Sequence, residues 1–175
     1  KTEIAMAHLS AQFKAKTSAR EYVALVWGNV ELDEGTIEGN IGRHPKNRLQ
    51  NTVYFGDEAA KGKPAVTHYK VLQRLGYVTL VSCRLETGRT HQIRVHLTHA
   101  GHGLIGDPTY GGRRKLSEKA VGEAGRLAAY TFPRQALHAA TLGFEHPVSK
   151  EMLRFEAPMP ADMAALVAAL GGVEG

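Results

Sequence analysis

The 175 residues carry 43% hydrophobic and 22% charged side chains, a formal net charge of +5 and one cysteine. That balance excludes a disordered chain, a disulfide scaffold and, with no apolar run near the roughly 20 residues a bilayer needs, a helical membrane span. The length fits one domain with a real core, and the positive charge favours a polyanionic partner without requiring one.

The first residues, Lys1 to His8, show no signal-peptide pattern and no initiator Met, so a processed chain or a fragment is expected. Residues 2–16 read as an amphipathic helix, with Met6, Leu9 and Phe13 at helical spacing and Lys14 and Lys16 near its end. Residues 21–27 read as a strand stopped by Gly28-Asn29. A turn at Asp33-Glu34-Gly35 leads into a short alternating strand, up to Gly42. Residues 43–64 are rich in basic and turn residues, and only 52–55 reads there as a strand. Strands are predicted at 65–74, 77–85 and 92–97, the last turning helical by His99. Cys83 sits among apolar residues and reads as a buried, inert thiol of a reducing compartment. Residues 113–128 are polar and read as an exposed loop or short helix. Residues 137–144 and 152–157 form a final hairpin around His146–Glu151. The last helix starts after Pro160, buries Met163, Leu166, Val167 and Leu170, and stops at Gly171-Gly172. Strands outnumber helices and connections are short, which predicts an α+β domain with a mixed, largely antiparallel central sheet and flanking helices.

The chemistry concentrates in Arg84–Leu97, where three arginines, two histidines and a glutamine surround a Thr-Gly turn. Arginine is always charged and offers a planar fork of donors, so such a cluster suits phosphates or a buried carboxylate. The plainer reading is a set of exposed strand ends; if extended, Arg84 and Arg94 share a face and Arg89 lies on the other face or in the turn. Gly106-Asp107-Pro108-Thr109-Tyr110-Gly111-Gly112 demands a defined turn, with Asp107 as its cap. His91, His96, His99 and His102 raise the question of zinc, but no two stand four apart around a Glu, so no metal site is expected. Arg43-His44-Pro45-Lys46-Asn47-Arg48, with Lys61 and Lys63, reads as a solvated loop or as a set of phosphate contacts. Tyr22, taken alone, reads as a strand tyrosine with its ring in the core. There is no P-loop, no Gly-x-Gly-x-x-Gly and no Cys-x-x-Cys, and nothing calls for a nucleotide cofactor.

Gly88-Arg89-Thr90-His91-Gln92-Ile93-Arg94-Val95-His96, followed by the 106–112 turn, resembles the RluA-type pseudouridine synthases. Ile41-Gly42-Arg43-His44-Pro45 and Gly62-Lys63-Pro64-Ala65-Val66-Thr67 resemble the RluD-like members, and the resemblance runs to about Pro158. It implies a pseudouridine synthase fold and the isomerisation of uridine in RNA: glycosidic cleavage at N1, rotation of the base, and rejoining through C5, with no metal or organic cofactor. By the same resemblance Arg94 is the favoured partner of a catalytic aspartate, with Arg89 the next candidate or a phosphate contact. The resemblance further implies that Tyr22 stacks on the target base, that Leu104 or Ile105 walls the uracil pocket, and that His91 and Gln92 touch the substrate. Arg43, His44, Arg48 and Lys63 are, on the same resemblance, expected to contact RNA. Large-subunit ribosomal RNA, the bacterial cytoplasm and a monomer are implied.

One departure governs the reading. The catalytic aspartate of that family lies in a His-Arg-Leu-Asp segment, and none occurs here; Asp33, Asp57 and Asp107 all sit in turns. The expectation is that residues 1–175 are the C-terminal portion of a single catalytic domain with its N-terminal part missing, inactive alone and with sheet edges uncovered. A second hypothesis is a non-catalytic RNA-binding module, and a third a metal-dependent hydrolase built on the histidines.

Overall fold

A computed structural model describes residues 2–15 and 19–171, the side chains of 13–15 excepted. Lys16, Gly172 and the side chains of Phe13 and Lys14, placed in the predicted first and last helices, lie outside the described residues. In chain order the elements are α1 (Glu3–Ala15), β1 (Ala19–Trp27), β2 (Glu34–Glu38), β3 (Asn40–Arg43), β4 (Asn51–Tyr54), β5 (Val66–Arg74), β6 (Val78–Leu85), α2 (Gln92–His99), α3 (Glu118–Thr131), β7 (Leu137–Glu145), β8 (Met152–Glu156) and α4 (Ala161–Ala169), with a 3-10 turn at Gly56–Lys61. The class is the α+β predicted.

Six strands form one sheet in the order β2-β5-β6-β1-β7-β8, every neighbouring pair antiparallel. The pairing follows from β-branched and aromatic runs joined by short turns. Along β1 the side chains alternate between two cores. Leu25 and Trp27 face Val78, Leu80, Met163, Leu166 and Val167, so α3 and α4 cover that side. Ala24 and Val26 face Val81, Cys83, Ile93 and Leu97, so α2 covers the other. Cys83 is fully buried, and burial pushes its thiol up to about 12, as an inert core residue requires. Strands β3 and β4 form a separate hairpin whose Ile41 packs on Val95 of α2. No helix among the described residues is long and apolar enough to cross a membrane.

Three expectations are corrected. Residues 92–97 are helical from Gln92, not a strand: His91 takes a left-handed conformation (φ 58°), which ends the extended run. The arginine parity argued from an extended 84–94 therefore does not apply. Residues 118–131 form a helix, kinked at Gly122 (φ 74°, ψ 165°) and longer than the polar stretch suggests. On α1, Met6 is 70% exposed, and what ties the helix to the sheet is polar: the Gln12 amide donates to Glu145 O and accepts from Glu145 N, both at 2.6 Å.

Candidate active site

Strand β1 carries Tyr22 to the open end of the sheet, opposite Cys83 of β6. A register shift against β7 between Glu21 and Tyr22 bends the strand there. Beyond β6 the chain turns through Thr87-Gly88 and enters α2, whose first turn faces the same end. The result is a cleft of about 240 Å³ lined by Tyr22, Leu85, Arg89, His91, Ile93 and Arg94, with Gln92, Gln135 and Leu137. A larger hollow of about 440 Å³ opens at the other end of α2, beside Leu32, His102 and Arg114, and holds none of the predicted catalytic side chains.

Arg94 is almost wholly buried, and its guanidinium meets Asp107 as a two-point fork: Nε donates to Oδ2 and an Nη2 hydrogen to Oδ1, both at 2.8 Å. Asp107 also caps its own turn, accepting from the amides of Thr109 (2.9 Å) and Tyr110 (3.1 Å). Burial pushes the Asp107 carboxyl up, but the Arg94 fork and the two amides outweigh it and hold it below the ordinary carboxylate range. Hydrogen bonding to Asp107 raises Arg94 against the effect of burial. The Tyr110 ring lies 4.9 Å from the Arg94 guanidinium carbon and completes the clamp.

His91 sits at the mouth of α2, with Nδ1 2.9 Å from Tyr110 Oη. The Asn51 amide donates to that same oxygen (2.9 Å), so the tyrosine hydroxyl is left to donate to His91 Nδ1. Desolvation and the Arg94 charge push His91 below its usual range. Arg89 donates through Nε to Pro64 O (2.8 Å), which anchors its stem while the guanidinium lines the cleft.

The structure assigns some predicted residues elsewhere. Gln92 lines the cleft, but its amide is saturated: Oε1 accepts from Thr87 Oγ1 (2.7 Å) and Arg89 N (3.0 Å), and Nε2 donates to Val66 O and Thr67 Oγ1, both at 3.0 Å. It fixes the loop rather than offering a hand to substrate. Leu104 and Ile105 do not line the cleft: both are fully buried, one in each core, because the bridge of Leu104 to Val26 draws this segment in beside β1. Arg43, Arg48 and Lys63 are exposed on or beside the β3–β4 hairpin, and His44 turns its Nδ1 inward to the amides of Lys46 and Asn47. The hairpin is tied to the site by Asn51 Nδ2 to Thr90 O and Gln50 Nε2 to Thr109 O, each at 2.9 Å.

The four histidines do not converge. His96 is bonded to Thr67 and Gly39, His102 to Trp27 O, and His99 packs on Phe55. Among the described residues no three His, Cys, Asp or Glu side chains gather as a metal would need. Sequence reasoning missed Tyr110 as the shared partner of His91 and Arg94, and read Asp107 as a turn cap only. The signal was present in the Gly-Asp-Pro-Thr-Tyr turn, whose acid and aromatic follow a motif arginine.

The family model for RNA pseudouridylate synthase matches residues 1–99, more than half of the chain. The chain belongs to the RNA pseudouridylate synthase family. Among curated relatives of this pseudouridylate synthase chain, the Bacillus subtilis protein named uncharacterized RNA pseudouridine synthase YlyB is 46% identical over 167 residues, covering 95% of this chain and 49% of that protein. The ribosomal large subunit pseudouridine synthase D of Nitrosomonas europaea is 46% identical over 170 residues, 97% of this chain and 46% of that one. The chain thus spans about half the length of the curated relatives it matches. The solved structure of human RNA pseudouridylate synthase domain containing 1 superposes with a TM-score of 0.72 at 28% identity, over 96% of this chain and 65% of that one. That of human RNA pseudouridylate synthase domain containing 4 gives 0.75 at 22% identity, over 95% and 67%, a likeness of fold.

Proposed function

We propose that this chain forms the aromatic and arginine face of a site that isomerises uridine to pseudouridine in RNA, with large-subunit ribosomal RNA as substrate. The observation that carries the reading is the meeting of Tyr22, Arg89, His91 and Arg94 at one cleft. In the proposed reaction the N1–C1′ bond breaks, the base turns in the pocket, C5 bonds to C1′, and the C5 proton leaves as N1 takes one up. Tyr22 offers its ring to the extruded base in place of the lost stack. Arg94, rigid between Asp107 and Tyr110, faces the reacting carboxylate and keeps it ionised. Arg89 is the alternative partner, or holds a backbone phosphate, with Arg43, His44, Arg48 and Lys63 tracking the strand outside. No cofactor enters.

No Asp or Glu lines the cleft, and the family's His-Arg-Leu-Asp segment has no counterpart in these 175 residues. The nucleophile in this reading is therefore a carboxylate supplied by a segment outside residues 1–175, which form the C-terminal portion of one catalytic domain, cytoplasmic and monomeric. The test is tritium release from ribosomal RNA labelled at uridine C5, for this chain beside one extended through such a segment. Release from the extended protein alone is expected. Release from residues 1–175 overturns the supplied-carboxylate reading. Release from neither, with RNA still bound, favours the non-catalytic RNA-binding module, which the carboxylate-free cleft also fits.

A further inference from the structure

A second groove, of about 290 Å³, lies between the β3–β4 hairpin and α2, lined by His44, Asn51, Thr98, His99, Thr109 and Tyr110 among others. Its size sits at the lower end of small-molecule sites, about 300–1,000 Å³. The proposed arginine and tyrosine chemistry makes no use of it. Yet Tyr110, whose ring forms part of this groove, is bonded through its hydroxyl to His91 of the cleft, so the two hollows are neighbours.

Several features suit this groove to a nucleotide. The His99 ring is backed by Phe55, with centroids 5.0 Å apart and planes 37° apart, and Phe55 is itself 51% exposed. Such a supported ring at a surface is a platform for a base. Gln50 and Asn51 spend their amide nitrogens on Thr109 O and Thr90 O, which leaves their oxygens as acceptors for an exocyclic amine. Arg43 and Arg48 stand exposed on the same hairpin, where a phosphate would follow.

From this arrangement we infer that the groove holds one unstacked nucleotide of single-stranded RNA, beside the uridine that enters the cleft. Its base lies against the His99 ring, its edge meets the Gln50 and Asn51 amide oxygens, and its phosphate runs toward the hairpin arginines. A base with an exocyclic amine fits these acceptors better than uracil, so this position reads the sequence next to the target. The inference rests on the RNA-modifying reading above.

The test needs no turnover. Isotope-labelled chain is titrated with adenosine 5′-monophosphate, and separately with inorganic phosphate, while amide resonances are followed. Saturable shifts at Asn51, Thr98, His99 and Tyr110 are expected with the nucleotide and not with phosphate. His99→Ala, which removes the ring the base lies on, is expected to weaken the affinity about 5–10-fold. No groove shifts at a nucleotide concentration on the order of 10 mM overturn the inference. So do shifts that phosphate alone reproduces, or an affinity that His99→Ala leaves unchanged. Because binding is read directly, absence of tritium release would count against the isomerase reading and leave this result standing, and the reverse holds equally.

Discussion

Asp107 shows how one side chain can serve fold and site together. Its two oxygens take an arginine fork and two backbone amides, so the 106–112 turn and the position of Arg94 are fixed by the same carboxylate. Asp107→Asn leaves a buried guanidinium without its counter-charge, and a loss of about 3–5 kcal/mol in urea unfolding is expected. The Asp107 carboxyl is held below its ordinary range, so the unfolded chain binds the proton more readily. The stabilisation is therefore complete above about pH 4 and is lost as pH falls through the folded value; Asp107→Asn should flatten the acid limb of a stability–pH curve. His96 acts in a different window. It is fully buried and lowered by desolvation, with Nε2 donating to Gly39 O and Nδ1 accepting from Thr67. Its neutral form is the folded one, so stability should drop as pH falls below about 6.5, and His96→Gln should reduce that drop in melts at pH 7 and pH 5. At this scale a motif marks Arg89, His91 and Arg94 directly, whereas Tyr22 stands outside it and was reached only through the resemblance; the fold brings all four to one cleft. The sequence was least legible for Gln92, Leu104 and Ile105, since only the fold tells a saturated amide from a free one and a core leucine from a pocket wall.

Between elements the informative failure is α2. From Gln92 to Leu97 polar and apolar residues alternate one by one, the period of a strand, and because all six are buried the polar ones do not mark an outer helical face. What decides is the left-handed His91, a backbone state that residue type alone does not announce. The six sheet strands were legible because their apolar residues alternate or run continuously between Gly and Asn turns. The kinked α3 was not, because Gly122 interrupts its pattern. Turns here are as constrained as strands. Gly106 has φ +73°, and a Cβ placed on it would run into the backbone carbonyl oxygen of Arg134. Gly106→Ala is expected to lower stability by about 2–4 kcal/mol, measured as a shift in thermal midpoint, with the tie between Asp107 and Arg94 loosened as well.

Across the whole molecule, the +5 charge matters through its placement. Arg43, Arg48 and Lys63 are exposed on or beside the hairpin and Arg89 lines the cleft, the path that a strand of RNA takes in the proposed reading. If each of the four meets a phosphate, the logarithm of the association constant should fall against log salt with a slope of about −3, at roughly 0.7 per contact; charge-neutral replacement of any one should lessen the slope by about 0.7 without changing which RNA is preferred. The two cores have a further consequence. Tyr22 shares its parity on β1 with Ala24 and Val26, while Val23, Leu25 and Trp27 serve the opposite face. A slip of one residue would turn the tyrosine away from the cleft and, in the same movement, exchange the contents of both cores. There is no well-packed, wrongly wired version of this protein. A chain slipped in this way would lose the packing of both cores at once, so the register that packs the protein is the register that presents Tyr22 to the cleft.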